Sequence, residues 1–291
     1  MQNIKHIALI GVGLIGGSFV LDLKRQGLIE HVHGIDIDEN NLERALERQV
    51  IHSASTKIDE AITQADLIML ATPIRQFPAI LEQLQPYIRP DTIITEVGST
   101  KSDVVQMFSQ YLPHHIARYV PTHPIAGSDR NGALAAQFGL YKNKKIIFSP
   151  HEKLDIHAQQ TVKQLWQAVG GQIEERGLQE HDQIFASVSH LPHLLAFAYT
   201  NQIIEQENQD ACFHFAGSGF KDFTRIASSD ATMWRDIALE NKEFLCLLLK
   251  NTQAELTKLQ QMLESSESES LRDYFARAKT RRDLWLQEIE K

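Results

Sequence analysis

The sequence predicts an α/β fold, with an N-terminal Rossmann-type, doubly wound parallel sheet followed by an all-α C-terminal domain. Short apolar strands alternate with amphipathic helices through the first half, as in parallel sheets that helices cover on both faces. A Gly-x-Gly-x-x-Gly turn at 11–16 joins the first strand to the first helix. After about Arg176 no convincing strand remains, and long helical patterns follow. We therefore expect a dinucleotide-binding domain at 1–176 and a helical domain at 177–291.

The individual elements follow from apolar runs and their spacing. The first two strands, 4–10 and 31–36, each lead to a helix, at about 16–26 and 40–48, and Asp38 or Asn40 can cap the second helix. Further strands are expected at 66–71, 92–97, 145–148 and 172–175. Helices are expected at 182–204, around 222–228, at 232–265 and at 271–290. The segment 244–249 is apolar on nearly every face, which predicts burial in a bundle or a subunit interface.

The glycine turn predicts a bound dinucleotide. Its first glycine makes the tight turn, its second lets the backbone approach a pyrophosphate, and its third lets helix and strand pack closely. Asp36 ends the second strand, where a carboxylate hydrogen-bonds the adenosine ribose and repels a 2′-phosphate, so NAD is favoured over NADP. The predicted cofactor-binding residues are those of the turn, this acid and two residues after the 66–71 strand: Gly11, Val12, Gly13, Leu14, Ile15, Gly16, Asp36, Thr72 and Pro73.

Composition excludes several classes of protein. The hydrophobic share of 43% and the charged share of 23% are those of a globular protein, and no apolar run approaches the ~18 residues of a membrane helix. A net charge of −8 argues against nucleic acid as a partner. We expect no signal peptide, because the first strand begins almost at once. Cys212 and Cys246 lie in apolar helical patterns, which predicts reduced core thiols and a cytoplasmic protein.

His123 is the candidate general base. It lies in the segment 120–128, where Pro121, Pro124 and Gly127 exclude regular helix and predict a rigid loop after a strand. An isolated histidine would more often be an ordinary surface residue. Beside a nicotinamide, however, a neutral imidazole suits removal of a proton from a substrate hydroxyl as hydride leaves the same carbon.

Two further histidines, His190 and His193, share one face of the predicted 182–204 helix, which Pro192 should kink. They could be core histidines, half of a metal site, or hydrogen-bonding groups for a polar substrate. The metal alternative is weak, because the chain has no His-Glu-x-x-His and no ligand cluster at suitable spacing, so we expect no metal. We favour the substrate alternative.

Arg225 is the candidate carboxylate-binding residue. It stands three residues after Asp222, and by spacing alone a surface ion pair between them is the better explanation. The functional alternative is a forked contact from the guanidinium to a substrate carboxylate.

Six motifs, in order along the chain, resemble the prephenate/arogenate dehydrogenases of tyrosine biosynthesis, and the overall pattern is similar to the proteobacterial cyclohexadienyl type. They are Gly-Val-Gly-Leu-Ile-Gly-Gly-Ser at 11–18, Ala-Thr-Pro at 71–73, Val-Gly-Ser-Thr-Lys at 97–101, His-Pro-Ile-Ala-Gly-Ser at 123–128, Ser-His-Leu-Pro-His at 189–193 and Gly-Phe-Lys-Asp-Phe-Thr-Arg at 219–225. This resemblance implies NAD-dependent oxidative decarboxylation of prephenate, arogenate or both. It also implies a homodimer formed through the helical half.

The resemblance assigns roles to the candidate residues. His123 is implied to be the general base, with Ser99 holding the substrate hydroxyl and the imidazole in register. Arg225 is implied to bind the side-chain carboxylate, while His190, His193 and Ser128 line the pocket. Family members often carry Thr-Glu where this chain has Ser128 and Asp129, so whether the shorter acid reaches the arginine stays open.

Two other functions compete with this one. A β-hydroxyacid dehydrogenase shares the two-domain plan, but would be expected to use a catalytic lysine in the helical domain. A dinucleotide-sensing protein could keep the fold without catalysis, against which the intact His123 and Arg225 argue. The sequence does not decide between prephenate and arogenate. Inhibition by tyrosine is expected, because the product resembles the substrate.

Overall fold

The computed structural model describes residues 3–127 and 130–289. In these residues eight strands form one sheet in the order β3-β2-β1-β4-β5-β6-β7-β8. All neighbouring pairs are parallel except β6 and β7, which are antiparallel. The predicted α/β class with a Rossmann-type sheet is confirmed. The strands are β1 His6–Ile10, β2 His31–Ile35, β3 Ser53–Ser55, β4 Leu67–Leu70, β5 Ile93–Glu96, β6 Tyr119–Pro124, β7 Lys145–Phe148 and β8 Gln172–Glu175.

Twelve α-helices are present in the described ranges, and none of them is long and apolar enough to cross a membrane. Five accompany the sheet: α1 Leu14–Arg25, α2 Glu39–Glu47, α3 Phe77–Leu84, α4 Ser102–Tyr111 and α5 Ile156–Ala168. Seven follow it: α6 Leu178–Phe185, α7 Leu191–Ile204, α8 Gln209–His214, α9 Ser218–Thr224, α10 Ala231–Glu240, α11 Lys242–Glu264 and α12 Ser268–Ile289.

The sheet is buried on both faces, which explains why its inner strands are continuous apolar runs. In β1 the side chains alternate between two cores: Ile7 and Leu9 enter one, while Ala8 and Ile10 enter the other. The first core includes Phe19 of α1, whose ring lies 4.4 Å from that of Trp166 in α5. The second core lies under α3 and α4. Helices on both faces leave the carboxyl ends of the strands as the edge available to a ligand.

Two predicted helices are interrupted. The 182–204 helix begins earlier, at Leu178, and a π-helical segment, Ala186–His190, separates α6 from α7. Pro192 lies in the first turn of α7, directly after the π-helical segment, so the interruption of the predicted helix stands next to the proline that was expected to kink it. The 232–265 helix is likewise divided at Asn241 into α10 and α11. Both interruptions lie next to residues of the candidate site.

Contacts within the chain divide it into two compact units, 1–242 and 243–291, and the domain boundary predicted after residue 176 stays a prediction. In the segment 244–249, Leu245 is buried, whereas Leu247 is 57% exposed.

The prediction that both cysteines are core thiols is wrong for Cys246, which is exposed, and Cys212 is only half-buried. Both cysteines are free, and the apolar pattern around Cys246 extends onto a helical face that the chain itself leaves exposed.

Three histidines cluster at the amino-terminal ends of β2 and β3. The rings of His31 and His52 stack at 5.1 Å, and the Ser53 hydroxyl lies 2.9 Å from His31 Nε2 and 2.8 Å from His33 Nδ1. Burial lowers the pKa of His31, His33 and His52 below the usual value, because it disfavours their charged forms. The three rings therefore bind protons less readily in the folded protein than in the unfolded chain.

We expect this cluster to make the protein sensitive to acid. Below about pH 6.5 the histidines of the unfolded chain bind protons, whereas those of the folded protein stay neutral because their pKa values are lower. The free energy of unfolding is therefore highest above that pH and decreases as the pH falls toward the lowered pKa values. His33→Gln should flatten the fall in melting temperature between about pH 7.5 and 5.5, whereas His114→Gln, at an exposed turn, should not. Equal pH dependence in wild type and His33→Gln, measured by differential scanning fluorimetry, would contradict this account.

Candidate active site

A cavity of about 490 Å³ lies at the carboxyl ends of β1, β2 and β4. Six of the nine predicted cofactor residues line it: Gly11, Val12, Gly13, Asp36, Thr72 and Pro73. Leu14, Ile15 and Gly16 do not line the cavity and form the first turn of α1. The strand order of the sheet reverses direction between β1 and β4, and the cavity lies at this point. Doubly wound sheets bind dinucleotides at the point where the strand order reverses.

The residues around this cavity fit a dinucleotide. Gly11 has a φ of +89° and its missing Cβ would lie 2.6 Å from the Ala71 carbonyl oxygen, so no other residue is accommodated there. At Gly13 the space for a Cβ is open, which leaves the backbone accessible. The Thr72 hydroxyl is buried and has no hydrogen-bond partner in the described residues, so a polar ligand group can satisfy it.

The Asp36 carboxylate is held in one orientation at the end of β2. Its Oδ2 accepts hydrogen bonds from the Val12 N–H and from Asn41 Nδ2, both at 3.0 Å, and its Oδ1 accepts one from the Asp38 N–H at 3.1 Å. Asn41 was not predicted, and it also accepts a hydrogen bond from the Ala133 N–H at 2.7 Å. Sequence reasoning had no signal for it, because Asn41 belongs to no motif.

His123 lies within strand β6, not in a loop after a strand as predicted. It pairs with Ile147 of β7, and its extended backbone is the conformation that Pro124 imposes on the preceding residue. The next strand in the sheet is β5, in which Glu96 is paired with Pro121. The half-buried Ser99 follows β5, so Ser99 and His123 extend from neighbouring strands at the same edge of the sheet.

The loop that carries Ser99 is anchored by a buried ion pair. Glu96 and Lys101 are both fully buried and contact each other through Oε1 and Nζ. The Gly98 N–H donates to Glu96 Oε2 at 2.6 Å, and the Tyr119 hydroxyl donates to Oε1 at 3.1 Å. Breaking such a buried pair leaves an uncompensated charge, so the pair holds the 97–101 loop in place.

A buried histidine and aspartate stand behind His123. His123 Nδ1 lies 2.8 Å from His181 Nε2, and His181 Nδ1 lies 2.8 Å from Asp182 Oδ1. Asp182 also accepts the backbone N–H groups of Lys101 and Ser102, at 2.8 Å each. Sequence reasoning missed both residues, because His181 is 58 positions from His123 and the pair forms no known motif.

These contacts determine the tautomers. Asp182 is a hydrogen-bond acceptor, so His181 must donate from Nδ1 and accept at Nε2. His123 therefore donates from Nδ1, and its Nε2 carries a lone pair that has no hydrogen-bond partner in residues 3–127 and 130–289. Burial, with a further contribution from the positive charge of Lys101, lowers the pKa of His123 well below its usual value. The ring is thus neutral at pH 7 and ready to accept a proton.

His190 and His193 lie on the π-helical segment and the start of α7. Asn241 Nδ2 donates to His190 Nδ1 at 3.1 Å, so the neutral His190 carries its proton on Nε2, which is buried and lacks a partner in the described residues. Burial lowers the pKa of His190 to about 4. His193 donates from Nδ1 to the Ser189 carbonyl at 2.9 Å, and its ring stacks on Trp234 at 3.6 Å. No group of three or more possible ligands in the described ranges could hold a metal ion.

Arg225 is exposed at the start of a 3₁₀ turn, Arg225–Ser228. Its charge acts on His193, whose pKa is lowered first by burial and further by this guanidinium. Within the described residues Arg225 and Asp222 form no ion pair, so the alternative of a surface ion pair has no support. Ser128 and Asp129 lie outside the described residues.

Comparisons with known proteins agree over nearly the whole chain. The family model described as "Prephenate dehydrogenase, nucleotide-binding domain" matches residues 19–175, and "Prephenate dehydrogenase, dimerization domain" matches residues 178–277. Prephenate dehydrogenase of Bacillus subtilis is 36% identical over 95% of this chain and 75% of its own length. Cyclohexadienyl dehydrogenase of Zymomonas mobilis is 31% identical over 94% of each chain.

A solved structure shows the same agreement. Prephenate dehydrogenase from A. aeolicus, in complex with hydroxyphenyl propionate and NAD+, is 35% identical, with a TM-score of 0.91 over 97% of this chain and 98% of that one. Both family models, the two relatives and the shared fold confirm the resemblance predicted from the motifs. The chain therefore belongs to the prephenate dehydrogenase family.

Proposed function

We propose that this chain catalyses the NAD-dependent oxidative decarboxylation of prephenate, arogenate or both, as a step of tyrosine biosynthesis. The observation that carries the proposal is the His123 ring, neutral, oriented through Nδ1 and with Nε2 unpartnered in the described residues. It lies at the same edge of the sheet as the cavity lined by Gly11, Gly13 and Asp36. A base at the same sheet edge as a dinucleotide site suits the oxidation of a hydroxyl.

The reaction then follows from the chemistry of the substrate. Bound NAD supplies the hydride acceptor. His123 Nε2 accepts the proton of the ring hydroxyl, which Ser99 holds in register. As the ring carboxylate leaves as CO₂, its bonding electrons enter the ring and the former hydroxyl oxygen regains the proton from His123. Because the ring becomes aromatic, the step is effectively irreversible, and the protein has to supply orientation and base catalysis.

Substrate recognition is assigned to the helical elements. Arg225 binds the side-chain carboxylate with a forked contact, which its lack of an ion pair in the described ranges leaves it able to make. The Nε2–H of His190 is a buried donor in need of an acceptor, and His193 Nε2 is an acceptor. Ser128 is assigned to the same pocket from the motif alone. Tyrosine, which resembles the product, is proposed to compete at this site.

We further propose that the chain forms a homodimer in the cytoplasm. The family model that matches residues 178–277 is described as a dimerization domain, and the second unit exposes large apolar side chains, including Leu247, Leu256 and Phe275. Two unpaired cysteines support a reducing compartment.

A comparison of kcat/KM for prephenate and arogenate, with NAD and with NADP, tests the proposed function. We expect reduction of NAD, followed at the nicotinamide absorbance, with at least one of the two substrates. NADP should be the poorer cofactor, because the Asp36 carboxylate repels a 2′-phosphate. Binding of NAD without turnover of either substrate would instead favour a dinucleotide sensor, and turnover of a β-hydroxyacid alone would favour the other enzyme class.

A further inference from the structure

We propose that His181 and Asp182 are positioning residues for His123: they hold it in the tautomer that leaves Nε2 unprotonated, and they carry part of the positive charge once Nε2 has accepted a proton. The proposal rests on the proposed function, in which His123 is the base. Neither residue is assigned to touch the substrate or the cofactor.

The three side chains form a continuous chain of hydrogen bonds. The two links, from His123 to His181 and from His181 to Asp182, are both 2.8 Å long. His181 is fully buried and Asp182 is 4% exposed, so water does not compete for these bonds. The far end is fixed by backbone, because the Lys101 and Ser102 N–H groups at the start of α4 both donate to the Asp182 carboxylate. Such an anchored acceptor permits only one tautomer along the chain.

The proton is accounted for at every step. The substrate O–H bond breaks and an N–H bond forms at His123 Nε2. His123 then holds protons on both nitrogens, and its Nδ1 proton can move along the hydrogen bond to His181 Nε2. His181 becomes the imidazolium, with its Nδ1–H still donated to the Asp182 carboxylate. The transfers reverse when the phenolic oxygen regains its proton, so no proton is gained or lost overall.

The groups around His123 and His181 leave the Asp182 carboxylate as the group that stabilises a positive charge on the two rings. The groups that act on the two rings are Lys101 at the start of α4, His190 on the π-helical segment and Asp182 itself. The positive charge of Lys101 disfavours an added positive charge on the two rings, although Glu96 pairs with the lysine. Burial favours the neutral acid, but hydrogen bonds from His181 and Ser102 hold the pKa of Asp182 below its usual value. Asp182 is therefore an anion in direct contact with His181.

Asp182→Asn tests the proposal most directly. An amide facing His181 can donate to Nδ1, which would reverse both tautomers and leave His123 with a proton on Nε2. We expect kcat to fall by as much as about 10⁴-fold, with KM for NAD unchanged. The acid limb of kcat/KM should also move to lower pH by about 1 unit, because the protonated pair loses its anionic neighbour. A merely structural role for Asp182 would not shift that limb.

Two substitutions of His181 separate orientation from packing and cover the case in which Asp182→Asn fails to fold. His181→Gln keeps an acceptor for the His123 Nδ1–H but cannot accept a proton, and His181→Leu removes both functions. We expect kcat to be highest in the wild type, lower in His181→Gln and lowest in His181→Leu. Asp22→Asn is the matched control, because Asp22 is a buried carboxylate on α1 that accepts the Gly139 N–H at 2.9 Å. It should keep both kcat and the acid limb.

The outcomes also distinguish this proposal from the proposed function. One result would overturn the positioning role and leave the base assignment intact. In it, His123→Asn loses turnover, while Asp182→Asn and His181→Gln keep kcat within about twofold of wild type and keep the acid limb of kcat/KM at the wild-type pH. Full turnover in His123→Asn would overturn both. Equal kcat in the Gln and Leu variants of His181 would also count against the positioning role.

Discussion

His123→Asn is expected to retain NAD binding and to lose about 100- to 10,000-fold in kcat, the range that general base catalysis contributes. Asparagine can keep a hydrogen bond to His181 Nε2 through its amide, but it has no basic nitrogen to accept the hydroxyl proton. Steady-state kinetics with prephenate and arogenate measure the loss. Titration of NAD against the purified variant measures cofactor binding separately.

Cofactor binding should survive because the cavity residues belong to other elements. Gly11 and Gly13 follow β1, and Asp36 follows β2, whereas His123 lies in β6. The matched control is His114→Asn, which alters an exposed histidine in the turn before β6 and should leave kcat unchanged. Unchanged turnover in His123→Asn would remove the base assignment.

The wild-type pH profile offers an independent check on the same residue. Since burial and the neighbouring charges lower the pKa of His123, the acid limb of kcat/KM should lie well below about pH 6.5. An acid limb at or above that pH would mean that another group titrates in the reaction.

The sequence predicted the elements whose signal is local. The strand from 4 to 10 was found because both of its faces are buried, so every residue in β1 is apolar after His6. Strand β3, Ser53–Ser55, was missed because three small or polar residues at a sheet edge carry no apolar pattern. Strand β6 was missed because Pro121 and Pro124 favour a loop, although its pairing through Thr122 and His123 still forms.

The candidate site divides in the same way. The glycine turn and Asp36 could be predicted because one strand, one turn and the next strand fix their spacing along the chain. His181, Asp182 and Asn241 could not be predicted, because α6 and the α10–α11 break reach the site only through tertiary folding. The tautomer of His123 depends on those partners, so no reading of its own motif could supply it.

Arg225→Ala is expected to weaken substrate binding by about 2–4 kcal/mol, a rise in KM of roughly 30- to 1,000-fold, with a smaller change in kcat. The reason is the loss of a charged, forked donor for the side-chain carboxylate. The upper part of the range applies only if bound substrate excludes water from the contact, because Arg225 is exposed in the free protein. Steady-state kinetics with both substrates at saturating NAD measure the effect.

Two further substitutions, one at Arg225 and one at Lys221, separate the effect of the forked guanidinium from that of positive charge alone. Arg225→Lys keeps the positive charge but replaces the planar fork with a point charge, so KM should lie between those of wild type and Arg225→Ala. Lys221→Ala removes a cation one helical turn earlier, on α9. If the substrate were attracted by the general positive charge of this region, KM would rise in this variant; if Arg225 makes a specific contact, KM would not change. We expect little change in KM for Lys221→Ala. A normal KM in Arg225→Ala would refute a specific carboxylate contact. Equal increases in KM in Arg225→Ala and Lys221→Ala would refute it too, because a forked ion pair requires one guanidinium within hydrogen-bond distance of the carboxylate.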